Sequence, residues 1–106
     1  MMVCWYTSDK TRETVKMKTI WKFLLRINDR QVVVLPHGAQ MLTIQMQGHH
    51  PCLWALVDPS RPPQQRGIQM YGTGHPATDA GVYIATFQTG PLVFHVFEDR
   101  EEVLAS

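Results

Sequence analysis

From Thr19 onward the chain alternates apolar and polar residues with a period of two. In TIWKFLLRI, Trp21, Phe23, Leu25 and Ile27 fall on one side, against Lys22, Leu24 and Arg26 on the other. That predicts a strand with one buried face. Asn28-Asp29-Arg30 is turn chemistry, and the β-branched QVVVL that follows runs up to Pro36. After the turn PHGA, QMLTIQMQ sets Leu42, Ile44 and Met46 against Thr43, Gln45 and Gln47. GHHP breaks the pattern, and CLWALV is then almost continuously apolar, the mark of a strand covered on both faces.

Asp58 to Arg66, DPSRPPQQR, holds three prolines and no aliphatic or aromatic residue, and reads as a loop. GIQMYG alternates again. VYIATFQ and LVFHVFE, separated by Thr89-Gly90-Pro91, read as a hairpin with a glycine in its turn. About seven short strands with turn signals between them, and no amphipathic helix, predict an all-β single domain. Its architecture is an antiparallel sandwich or small barrel over residues 17–98. Residues 1–16 read as a loosely ordered extension, with a short helix over Ser8 to Val15 capped by Ser8 and Asp9 as the alternative, and residues 99–106 as an acidic tail.

The length of 106 residues suits one domain, and 44% hydrophobic residues are enough for a core. A net charge of +1 gives no global reason to bind nucleic acid or membrane. Its distribution is uneven: Lys10, Arg12, Lys16, Lys18, Lys22, Arg26 and Arg30 precede residue 31, whereas Glu98 to Glu102 collects four acids. A basic entry and an acidic exit invite pairing, within one chain or between subunits. Cys4 and Cys52 form neither a disulfide framework nor a zinc motif. MMVCWYTSDK lacks the apolar core of a signal peptide, and no segment is long enough to span a bilayer, so a cytoplasmic location is expected.

Gly72-Thr73-Gly74-His75-Pro76-Ala77 formally matches the dinucleotide fingerprint G-x-G-x-x-G/A. That chemistry needs a helix after the motif, with its N-terminus facing a pyrophosphate. TDAGVYIATF is β-branched and glycine-broken instead, and the acid expected downstream is replaced by LVFHVF. What survives is a glycine turn that lets a ligand approach the backbone, with the Thr73 hydroxyl and the His75 imidazole beside it. Lys22 and Arg26, four apart with Lys18 on one strand face, could join Arg66, Trp54 and Tyr71 as a cationic, aromatic-walled site. A tight turn and a solvated basic face are the plain alternatives.

The other chemistry is thin. His49 and His50 are adjacent in a turn and would point apart, and His95 lies on a strand where a hydrogen-bonded, half-buried role is simplest. Asp58 before Pro59 reads as a turn-making residue, and Asp79 could orient His75. No serine sits in a nucleophile elbow. The expectation is a non-enzyme with no catalytic residues, no metal and no cofactor.

MKTIWKF, LPHGAQMLTIQMQ, PCLWALVDP, GTGHP and FQTGPLVFHVFE resemble, in that order, the blocks of a small phage-type protein family. The likeness runs from Met17 to Glu98 and departs mainly in the SRPPQQRG loop. It implies an accessory protein acting in the host cytoplasm by occupancy, as a homo-oligomer. The leading expectation is an anti-defence protein that sequesters a small anionic ligand such as a signalling cyclic nucleotide. Its site would comprise Lys22, Arg26, Trp54, Arg66, Tyr71, Gly72, Thr73, Gly74 and His75. The alternative is a protein-interaction module that inhibits a host factor or assembles in the virion, using a strand edge.

Overall fold

The computed structural model describes residues 17–100, so the extension 1–16 with its predicted helix, and residues 101–106, lie outside it. Seven strands follow one another: β1 (Thr19–Leu24), β2 (Arg30–Pro36), β3 (Gln40–Gln47), β4 (His50–Val57), β5 (Pro63–Gly72), β6 (Val82–Thr89) and β7 (Leu92–Glu98). They make two antiparallel sheets, ordered β1-β4-β3 and β2-β5-β7-β6, packed as a sandwich. There is no helix among the described residues, and so none long and apolar enough to cross a membrane.

Alternation places the core. On the central strand β4, Leu53, Ala55 and Val57 point inward and are fully buried. Facing them from the other sheet are Val33, Leu35, Ile68, Met70, Phe87 and Val96. Each large aliphatic side chain enclosed this way contributes about 1.5–3 kcal/mol. The β6–β7 hairpin turns through Gly90-Pro91, with Thr89 opposite Leu92. Gly90 there has φ 58°, the left-handed value that the first position of such a two-residue turn requires in part of its repertoire.

Three sequence expectations are corrected. The face of Trp21, Phe23, Leu25 and Ile27 is buried only at Leu25; Trp21 and Ile27 remain exposed. β1 ends its sheet, and no other strand among the described residues lies beyond it. Leu42 does not share a face with Ile44 and Met46, because the β3–β4 register shifts between Met41 and Thr43 and turns Leu42 outward. The loop after Asp58 is also shorter, since β5 begins at Pro63. Pro63 pairs with Pro36 at the ladder's end, where neither ring is asked to donate from mid-strand.

The sandwich closes on one side only. β3 and β6, the last strands of their sheets, approach each other. On the opposite side β1 and β2 end their sheets, with no further strand beyond them among the described residues.

Candidate functional site

Two surfaces gather the chemistry, on opposite faces of the sandwich. The first is built by the 73–81 loop between β5 and β6. Gly74 takes φ 91°, and the loop folds back over the outer face of β5 onto Gln69, which is 3% exposed. Gln69 donates to the Asp99 carboxylate at 2.6 Å and to the Asp79 carbonyl at 3.3 Å, and accepts from the Gly81 N–H at 3.0 Å. Arg30 pairs with the same Asp99 carboxylate at 3.0 Å, so basic entry and acidic exit do meet here within one chain.

The loop walls two adjoining grooves of about 750 and 460 Å³ that share Arg30, Thr78 and Asp79. Arg100 and Asp99 line the larger; Tyr71, His75 and Asp29 line the smaller. Groups of both signs line this floor, which does not favour a purely anionic ligand. Two of the N–H groups of GTGHP are also already used within the fold. The Thr73 N–H is bonded to the Val93 carbonyl at 3.2 Å and the His75 N–H to that of Gly72 at 3.0 Å. The His75 ring lies on Gly72, close enough that a Cβ there would come within 3.1 Å of it.

Beside the loop, the outer face of β6 and β7 holds a chain of side-chain hydrogen bonds. Tyr83 Oη lies 2.7 Å from Thr86 Oγ1, which lies 3.1 Å from His95 Nδ1; His95 Nε2 lies 2.8 Å from Thr73 Oγ1. His95 thus stands between two hydroxyls, and no carboxylate among the described residues bonds to it. Among the described residues no group of three or more His, Cys, Asp or Glu is arranged to hold a metal.

The second surface is the outer face of β1. Lys22 stands opposite Trp54 in the ladder and donates to Gln47 Oε1 on β3 at 2.6 Å. Gln47 pairs with His50, so this bond crosses β4 above Cys52, which is fully buried. Ile20 (56% exposed) and Leu24 (65% exposed) flank Lys22, with exposed Lys18 and Arg26 at the two ends.

The structure therefore divides the predicted site. Lys22, Trp54 and Arg26 belong to the β1 side; Tyr71, Gly72, Thr73, Gly74 and His75 belong to the loop on the other sheet. Arg66 borders the larger groove, but not as a free cation. It points inward from β5, clamps Glu98 through two bonds of 2.6 and 2.9 Å, and donates to the Ala39 carbonyl at 2.5 Å. Sequence reasoning missed Gln69, whose signal is only a polar residue within an alternating strand, and named Arg30 and the acids around Asp99 only as a basic entry and an acidic exit, not as site residues.

The model of a family described as a domain of unknown function, DUF7352, matches residues 17–105. The chain belongs to this family. No curated protein and no solved structure matches the DUF7352 chain.

Proposed function

We propose that this DUF7352 domain is a non-enzymatic interaction module that engages a protein partner along the open side of its sandwich. The observation that carries this reading is β1. It is an edge strand, paired with β4 on one side and with no described strand on the other, and Ile20, Trp21 and Leu24 on it are all exposed. An edge with free backbone groups and apolar side chains is a template for an incoming strand. The test is capture of a partner from lysate by the parent chain and by Ile20→Pro. Antiparallel alternation directs the Ile20 N–H away from β4, so proline there removes an edge donor and no bond to β4. Loss of the captured partner supports strand addition at β1; full retention by a folded variant overturns it.

A second reading keeps the anti-defence role and the small ligand. It is favoured by the grooves, where Tyr71 lines the smaller one with His75 and Arg30, and Arg100 lines the larger one beside it. The mixed charge of that floor suits a ligand carrying hydrogen-bond donors as well as an anionic group, as nucleotides do. Thermal shift with a panel of cyclic nucleotides decides it: a rise with one member, abolished by Tyr71→Ala, supports sequestration, and no shift with any member overturns it.

A further inference from the structure

The edge of β1 also specifies what kind of strand it accepts. Leu25 donates to the Pro51 carbonyl at 2.9 Å, so by alternation Thr19, Trp21 and Phe23 also turn their backbone groups toward β4. Ile20, Lys22 and Leu24 then hold their N–H and C=O groups toward the edge that no described strand pairs. Their side chains share the outer face, and exposed Lys18 and Arg26 extend the series to base, aliphatic, base, aliphatic, base.

A second copy fits this series poorly. An antiparallel pair that continues the sheet with the same face outward can be centred on Lys22. Ile20 then meets Leu24, but Lys18 meets Arg26 and Lys22 meets itself. Centring on Ile20 sets Lys18 against Lys22, and centring on Leu24 sets Lys22 against Arg26. Like charges directly opposite are destabilising. Centring on Trp21 or Phe23 separates the charges but places aliphatic residues against bases. No self-register satisfies both halves of the pattern, whereas a strand alternating acids with aliphatics satisfies both.

We infer that β1 takes up, by strand addition, an extended segment of a partner protein in which acidic residues alternate with aliphatic ones. This rests on the interaction reading above. The acids lie opposite Lys18, Lys22 and Arg26, the aliphatics opposite Ile20 and Leu24, and the segment's other face covers Trp21 at the mouth of the sandwich. Main-chain bonds supply affinity and the alternation supplies selectivity.

The test uses the full chain and three labelled peptides of about ten residues, the reach of an edge strand of this kind. One alternates Glu with Val, one carries Lys in place of each Glu, and one holds the Glu and Val residues in separate blocks. Fluorescence anisotropy should show binding of the alternating acidic peptide, weakened about tenfold or more by high salt. Lys18→Glu/Arg26→Glu, whose side chains make no hydrogen bond or ion pair among the described residues, should fold normally, lose that peptide and gain the Lys peptide. Equal binding of the three peptides, binding of none, or a parent dimer that competes with the acidic peptide overturns the proposal. The outcomes also separate it from its parent reading. A lysate partner lost with Ile20→Pro but indifferent to charge reversal sinks the acid–aliphatic rule alone; a partner retained with Ile20→Pro sinks the edge reading itself.

Discussion

Gly81 sits directly against the backbone carbonyl of Glu98, so close that a Cβ on it would overlap the oxygen. The contact is with backbone, which cannot rotate aside as a side chain does. Gly81→Ala should therefore push the start of β6 from the end of β7 and cost about 1–3 kcal/mol. At roughly 5 °C per kcal/mol for a domain of this size, a melting experiment resolves it. An unchanged midpoint would mean that the junction yields freely.

Gln69 ties three segments together from a buried position. Gln69→Leu keeps the volume but leaves the Gly81 N–H and the Asp79 carbonyl without their partner and removes a donor from Asp99. The expected loss is about 2–3 kcal/mol. Faster hydrogen exchange at Gly81, with β4 unchanged, would locate the effect in the loop.

The Arg66–Glu98 pair is largely withdrawn from water, with side chains 16% and 21% exposed. Removing one partner should destabilise more than removing both. Arg66→Met is expected to cost about 2 kcal/mol, and Arg66→Met/Glu98→Leu to recover part of it, with a coupling of about 1 kcal/mol in denaturant unfolding. Strict additivity of the two single variants would deny the pair any mutual contribution.

Ile20 and Leu24 look like core residues by type but bury little. Ile20→Thr and Leu24→Thr should each lie within about 0.5 kcal/mol of the parent chain. Leu53→Ala, at a fully buried position, should cost about 2–5 kcal/mol. Similar losses at all three positions would mean that β1 is covered in solution.

Those contrasts explain what could be read from the chain beforehand. Alternation located the strands, and the continuous apolar run of CLWALV marked a central strand, although only its inner face is covered by the other sheet and its outward Trp54 and Leu56 are half-buried. Alternation reports which face of a strand is greasy, not whether a second layer lies over it, so the exposure of Trp21 was hidden. Strand order is equally non-local. Nothing in the neighbourhood of Trp54 or Tyr71 says that their strands belong to different sheets, and the proposed site divided for that reason. Gln69 was invisible because Asp79, Gly81 and Asp99, which enclose it, come from 10 to 30 residues away.

The Lys22–Gln47 bond makes Cys52 a built-in clock. The thiol lies under that strap on the outer face of β4, beside the strand that ends the sheet, and is fully buried. In a Cys4→Ser background, its modification by a thiol reagent measures how often β1 lifts away, without unfolding the rest. A strand seated on the edge would slow that clock, so the partner's arrival can be timed from a sulfur atom it never touches.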